Sequence, residues 1–407
     1  MQTQLADFIK SKPEHVELDT ILRACVHCGF CNATCPTYQV LGDELDGPRG
    51  RIYLIKQMLE GQAVTEHTRR HLDRCLTCRA CETTCPSGVR YGRLLDLGRE
   101  TLEQRLERPF IDKLIRRLMV AVLTHRKRFS LALAMVQLLK PVIPQRWQNK
   151  IPTIDRPLLS WPKAQPRNRK MLLLDGCVQS TLAPTINAAT VAVLDKIGIT
   201  AIIPRQEDCC GALAHHLTVN KQSLKQIKYN IDSWLPYLEQ GVEAIVSTAS
   251  GCGVMIKEYK DVLQYDADYA DKAARISAAT RDISEVLSAE DLSLLMPDKL
   301  VTDKSVIVAF QSPCTLQHGQ QLSGVVESIL QKLGFTLAPV NDAHLCCGSA
   351  GVYSVLQATL SGRLLSDKLS ALQAGQPDVI ATANIGCLKH LQSASSTPVV
   401  HWLQLLV

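Results

Sequence analysis

The sequence predicts an α+β multidomain protein: a helical N-terminal domain followed by two copies of an α/β domain. Three observations predict it. Cys25, Cys28, Cys31 and Cys35, followed by Pro36, recur fifty residues later as Cys75, Cys78, Cys81 and Cys85, followed by Pro86. Cys177, Cys209, Cys210 and Cys252 recur as Cys314, Cys346, Cys347 and Cys387, at offsets of 137, 137, 137 and 135 residues, so all sixteen cysteines belong to one repeat or the other. Around the first repeat the apolar residues keep a helical period, whereas in the second repeat strand-like runs alternate with helical ones.

The elements follow in chain order. "RGRIYLIKQMLEG" reads as a helix stopped by Gly61, and "TEHTRRHLDR" as a second. A connector carries 16 basic against 4 acidic residues over 101–170, whereas residues 1–100 balance at 13 each. It ends in "RPLLSWPKAQPRNRK", a proline-rich basic linker. "KMLLLD", "ITAIIP" and "EAIVST" are the strands of the first α/β repeat, and "SVIVAF", "FTLAPV" and "DVIATA" those of the second. "APTINAATVAVLDKIG" supplies a helix between the first two strands, which predicts βαβ units and a largely parallel sheet. The expected domains are therefore 1–105, the connector 106–169, repeat one at 170–300 and repeat two at 301–407.

Composition narrows the function. At 407 residues the chain is long enough for two or three cores, and 46% hydrophobic with 21% charged residues is ordinary for a globular protein. No run of eighteen apolar residues predicts a transmembrane helix. "MQTQLADFIKSKPEH" lacks the basic-then-apolar pattern of a secretory leader. A cytoplasmic chain with this many cysteines points to metal or redox chemistry, because disulfides are rare in that compartment.

The spacing C-x2-C-x2-C-x3-C-P is that of bacterial ferredoxin cluster ligation. Three thiolates at two-residue gaps wrap a loop around one corner of a small cube, and the fourth ligates the other cluster. Cys25, Cys28, Cys31 and Cys85 are thus expected to hold one [4Fe–4S] cluster, and Cys75, Cys78, Cys81 and Cys35 a second. Zinc knuckles use paired C-x2-C units instead, and disulfides between residues three apart would be strained. The 39 residues between Cys35 and Cys75 read as helical. The domain therefore resembles the helical two-[4Fe–4S] ferredoxin-like module of respiratory iron–sulfur subunits.

The C-terminal eight cysteines carry "EDCCGA", "STASGCG", "HLCCGSAG" and "TANIGC". This pattern resembles the cysteine-rich, CCG-containing domain found twice in heterodisulfide reductase-type subunits. Each repeat departs from it by keeping one terminal cysteine, Cys252 or Cys387, where the fuller pattern has two. Cys177, Cys252, Cys314 and Cys387 each follow an expected strand closely, and ligands of open α/β sheets sit at the carboxyl ends of strands. Cys177, Cys209, Cys210 and Cys252, and Cys314, Cys346, Cys347 and Cys387, are thus candidates for a further metal or cluster site in each repeat, against the alternative of buried inert thiols.

"THRKRFSLALAMVQLLKPVIP" joins a basic cluster to an apolar stretch, as in a helix that lies on a membrane surface or docks a partner, or one that packs into a core. Nucleic-acid binding is not expected, since no reader motif accompanies the charge. His215, His216, His318, His344 and His390 lie near the C-terminal cysteines without a role that sequence assigns. No G-x-G-x-x-G follows a strand and no P-loop or flavin domain is recognisable, so a flavoprotein partner is expected to take electrons from substrate.

"ILRACVHCGFCNATCPTYQVLGDELDGPRGRIYLIKQMLEG" and "HLDRCLTCRACETTCPSGVRYGRLLDLGRE", continued by the CCG segments, resemble the family of iron–sulfur subunits of bacterial glycolate oxidases (glycolate dehydrogenases) along nearly the whole chain. The resemblance implies oxidation of glycolate to glyoxylate, with D-lactate as a second substrate. It also implies FAD and the substrate site on partner subunits, electron transfer toward a quinone-type acceptor, and a complex in the cytoplasm or peripheral on the inner membrane. The alternatives are the same role in a lactate or glycerol-3-phosphate dehydrogenase, or a structural metal-binding scaffold.

Overall fold

The computed structural model describes residues 1–142, 144, 151–152, 154–155, 162, 165–295 and 306–407. Most of the proline-rich linker and the boundary expected at 300/301 lie outside them. The N-terminal region is helical. Its longer helices are His15–Ala24, Pro48–Leu59, Glu66–Asp73 and Tyr91–Arg105. Pro48 sits in the first turn of its helix, where a missing N–H costs nothing, and the chain turns away at Gly61 with φ 94°. Leu22, Ile55, Leu59, Leu72, Leu94 and Leu102 bury one common core between these helices. Burial of a leucine side chain contributes about 2 kcal/mol, so this small core carries much of the domain's stability.

Two connector helices follow, Phe110–Leu123 and Arg126–Leu139, folded against each other across Thr124 and His125. The helix expected from the basic-apolar stretch is present. Phe129 and Leu133 bury one side of it, while Leu131, Met135, Leu138 and Leu139 face out. No helix among the described residues is long and apolar enough to cross a membrane.

Two parallel sheets of the same topology complete the fold. The first has β1 (Arg169–Leu173), β2 (Ile199–Ile202), β3 (Ile245–Ser247) and β4 (Thr280–Asp282) in the order β2-β1-β3-β4. The second has β5 (Ile307–Gln311), β6 (Thr336–Leu337), β7 (Val379–Thr382) and β8 (Val399–His401) in the order β6-β5-β7-β8. Every pairing is parallel, with β1 and β3 in register at Leu172↔Ile245 and β5 and β7 at Val308↔Val379. The six expected strands are all present. "FTLAPV" contributes only two residues to its ladder, because it is an edge strand and Pro339 has no N–H to donate. β4 and β8 are additions to the expectation: three residues each, one with an exposed Arg281 at its centre, they lack the apolar run that marks a strand.

The two repeats share a core. Val246 and Ile283 of the first lie in one cluster with Val308, Phe310, Ile329 and Trp402 of the second. Polar bonds join them as well: the Ser250 N–H donates to the Ala383 carbonyl at 3.2 Å, and His401 Nε2 meets the Thr248 carbonyl at 3.0 Å. The repeats therefore form a pseudo-symmetric pair in which the ends of β3 and β7 meet.

A candidate metal centre of four cysteine quartets

Each N-terminal cysteine loop makes the same turn. His27 and Gly29 of the first loop have φ of 57° and 86°, and Thr77 and Arg79 of the second have 54° and 62°. A short helix follows each, Phe30–Ala33 and Ala80–Thr83, and then the fourth cysteine. The sequence repeat is thus a backbone repeat. Left-handed φ disfavours a side chain, so the Arg79 backbone is held by its contacts: its guanidinium donates to Glu82 at 2.7 Å and also pairs with Glu258.

The thiols gather in two groups. Cys25, Cys28, Cys31 and Cys85 line a small cavity of about 30 Å³, with Cys81 also at its wall. Burial, then Cys25 and Cys85 beside it, push the Cys31 thiol up to about 11. Burial likewise pushes Cys81 well above the ordinary thiol range, with Cys78, Cys75 and Cys35 among the charges that oppose its ionisation. Cys35 is buried, with the Thr37 hydroxyl 3.3 Å from its sulfur. Tyr91 donates to Cys75 at 3.5 Å, and Arg99 holds the second loop by donating to the carbonyls of Leu72 and Cys75 at 2.8 and 2.9 Å.

The C-terminal cysteines stand at the carboxyl ends of the strands. In each sheet the strand order reverses between the first and third strands, which opens a crevice there. Cys177 follows β1 and Cys252 follows β3; Cys314 follows β5 and Cys387 follows β7. The CCG segments enter beside them from the ends of β2 and β6. Gly211 and Gly348 both have φ 86°, and an added Cβ at Gly348 would meet the Ser361 carbonyl oxygen at 2.8 Å. Equivalent serines, Ser223 and Ser361, donate to the carbonyls of these glycines at 3.2 and 2.8 Å. The glycine lets the paired cysteines lie flat against the following helix.

The result is two matching chains of sulfur neighbours, Cys177–Cys209–Cys210–Cys252 and Cys314–Cys346–Cys347–Cys387. The Cys314 and Cys346 sulfurs are 3.9 Å apart. Adjacent thiols and then burial push Cys209 and Cys252 well up, while Cys210, bonded by both neighbours and by the Ala212 N–H, is held well down. Both quartets line one cavity of about 410 Å³, and Cys75 and Cys78 line it too. After burial, Cys314 is the foremost charge opposing ionisation of Cys78, which marks the side on which the N-terminal thiols adjoin repeat two.

The donor set fits metal binding. Burial and neighbouring thiols oppose ionisation of most of these cysteines, and a bound metal cation would offset that. All sixteen cysteines are free thiols, so none is withdrawn into a disulfide. Every cysteine singled out in the sequence falls in a group; the two C-terminal quartets share one cavity with Cys75 and Cys78, while the first N-terminal quartet lines a separate one.

Sequence reasoning missed the groups that join the N-terminal domain to the repeats. Asp96 faces His215 Nε2 at 3.4 Å and His216 Nδ1 at 3.6 Å, Thr83 meets His318 Nδ1 at 2.9 Å, and Tyr353 donates to the Arg74 carbonyl at 2.9 Å. Two of the histidines beside CCG motifs thus bind a carboxylate of the other domain. No spacing rule relates residues more than a hundred positions apart, so the sequence held no signal for them.

Comparison with known proteins agrees with this layout. Residues 21–89 match the 4Fe-4S dicluster domain family, and residues 171–257 and 308–392 each match the cysteine-rich (CCG) domain family. The chain is 49% identical over 411 aligned residues to the glycolate oxidase iron-sulfur subunit of Escherichia coli (strain K12), covering 100% of this chain and 98% of that protein. This chain belongs to the glycolate oxidase iron–sulfur subunit family. A more distant family relative, the probable glycolate oxidase iron-sulfur subunit of Bacillus subtilis (strain 168), is 29% identical over 90% of this chain and 88% of its own length. Lactate utilization protein A of Anoxybacillus flavithermus is 25% identical over 53% of this chain and 87% of its own length. The family's two domain types correspond to the two structural units here, a helical one and a pair of parallel sheets.

Proposed function

We propose that this chain is the iron–sulfur electron-transfer subunit of a flavoprotein complex that oxidises glycolate to glyoxylate, with D-lactate as a second substrate. The observation that carries this reading is the 49% identity along the full chain to an iron–sulfur subunit of glycolate oxidase. FAD and the substrate site belong to partner subunits, and a quinone-type compound is the acceptor. Cys25, Cys28, Cys31 and Cys85 would hold one [4Fe–4S] cluster, and Cys75, Cys78, Cys81 and Cys35 the other. The eight C-terminal cysteines would hold further metal or clusters. Bound clusters supply reversible one-electron transfer. The chain's own residues bury Cys81 and hold the second loop through Arg99 and Tyr91. Cys28 is exposed, which suits the first quartet to face a partner.

The complex sits peripherally on the cytoplasmic face of the inner membrane. Support comes from the connector helices, which expose Phe110, Ile111, Leu114 and Leu118 on one and Leu131, Met135, Leu138 and Leu139 on the other. Exposed Lys113, Arg117, Lys127 and Arg128 flank these side chains, a pattern suited to an anionic bilayer.

Anaerobic co-purification with the flavoprotein subunits encoded by the same cell, assayed with glycolate, D-lactate and glycerol 3-phosphate, tests the reading. Glycolate-driven reduction of paramagnetic clusters is expected, with iron above eight per chain that falls when Cys209 and Cys210 are changed to serine. Turnover of D-lactate or glycerol 3-phosphate alone would move the chain to another flavoprotein; the 25% match to a lactate utilization protein is the ground for including D-lactate. Clusters that no substrate reduces would make it a structural scaffold.

A further inference from the structure

One buried arginine reaches a sulfur of the second N-terminal quartet. Arg51 has 1% of its side chain exposed and projects from the helix Pro48–Leu59. Its Nη1 lies 4.0 Å from the Cys35 sulfur, both Nη atoms donate to the Thr37 hydroxyl at 3.1 Å, and Nε donates to the His71 carbonyl at 2.8 Å. Thr37 in turn donates to the Asp46 carbonyl at 2.7 Å and touches the Cys35 sulfur. The one carboxylate that pairs with Arg51 is Asp46, at 3.3 Å, and it is shared. His71 Nδ1 contacts Asp46 at 3.0 Å, and Arg74 contacts its second oxygen at 2.8 Å.

Arg51 and Arg74 bring two positive charges to this cluster, and Asp46 with the exposed Asp43 beside it two negative ones, but it is the buried Arg51 guanidinium that touches the Cys35 sulfur. Among the described residues no guanidinium touches a sulfur of the first quartet, and the cation there, the Met1 ammonium, donates to the Cys25 carbonyl at 2.9 Å. The arginine nearest it, Arg49, has 36% of its side chain exposed and is bonded to Glu44 at 2.6 Å. Solvent and that carboxylate screen it. Charge buried in a low-dielectric interior acts more strongly than charge at the surface.

We propose that Arg51 is a positioning residue whose charge raises the reduction potential of the cluster held by Cys35, Cys75, Cys78 and Cys81 above that of the cluster held by Cys25, Cys28, Cys31 and Cys85. Uptake of one electron makes a cluster more negative, and a fixed cation stabilises the more negative state. The two clusters are thereby ordered in potential, downhill from the surface quartet with its exposed Cys28 toward the quartet that adjoins the C-terminal cavity. The inference rests on the two-cluster reading proposed above.

The test is potentiometric titration of the full chain, followed by electron paramagnetic resonance, in wild type, Arg51→Gln and Arg51→Lys. Cys28→Ser, which alters the first cluster's signal, identifies which potential belongs to which cluster. The expected result is a lower potential for the second cluster in Arg51→Gln, a smaller shift in Arg51→Lys, and an unmoved first cluster in both. Equal shifts of the two clusters, no shift at all, or equal shifts for Gln and Lys would overturn the proposal. Loss of the second cluster's iron in Arg51→Lys as well as Arg51→Gln would make Arg51 a purely structural residue and overturn it too. Failure of the wild type to show two reducible clusters would instead refute the two-cluster reading.

Discussion

A left-handed glycine beside each cysteine pair decides whether the C-terminal thiols converge. At Gly348 the backbone has φ 86°, and a Cβ would lie 2.8 Å from the Ser361 carbonyl oxygen, which cannot give way because it belongs to the helix Ala358–Gln373. Gly348→Ala is expected to destabilise by about 1–3 kcal/mol, from strain and the forced shift of backbone. Gly362, on the exposed side of the same helix with nothing near its Cα, makes the matched control. Gly362→Ala should stabilise by up to about 1 kcal/mol through helix propensity. Denaturant unfolding of the two variants checks both signs. The CCG pattern was readable in sequence. The serine that bonds its glycine, thirteen residues further on, was not.

The connector helices are amphipathic in the reverse of the usual sense: their broader apolar faces point outward. Arg116 and Val120 bury the inner side of the first, where Arg116 meets Asp73 at 3.1 Å and Asp112 at 3.0 Å. Leu118→Glu with Leu131→Glu should leave unfolding within about 0.5 kcal/mol of wild type, because neither side chain is buried. The same pair should abolish co-sedimentation with phosphatidylglycerol vesicles. Neutralising Lys113, Lys127 and Arg128 should weaken that binding by about 3 kcal/mol at low salt, at about 1 kcal/mol per charge. Binding indifferent to both sets would exclude the bilayer. The basic-apolar pattern was legible beforehand. Which face turned outward was not, since a core-packed helix carries the same pattern.

At the scale of the whole molecule, a buried ion pair couples the helical domain to repeat one. Burial works against charge on His215, but Asp96 and Glu258 raise it above the ordinary histidine value. Burial also opposes charge on Asp96, yet His215 and His216 hold its carboxyl well below the usual range. The stabilisation from His215 is complete below the unfolded histidine value and is lost as pH rises through the raised folded value. That from Asp96 is complete above the unfolded carboxyl value and is lost only as pH falls through the depressed one. Asp96→Asn is therefore expected to cost about 1–3 kcal/mol near pH 6. The gap to wild type should close as pH rises through the folded His215 value. Thermal unfolding of both proteins across pH 5 to 9 checks this, and a gap that stays constant or widens would refute it.

The sequence by itself determined the class of chemistry and most of the architecture. Cysteine spacing within a few residues constrains a loop whatever surrounds it, and apolar periods of 3.6 and 2 report helices and strands locally. The two repeats, the helical and α/β halves, and all six expected strands follow from such short-range signals. The tertiary structure decided what lies between them. It placed both C-terminal quartets around an interior shared with Cys75 and Cys78, set Arg51 behind Cys35, joined Asp96 to His215 and turned an apolar hairpin outward. Each of these depends on residues distant in sequence meeting in one packed arrangement. Which charges meet, and at what depth, is settled only when the cores have closed.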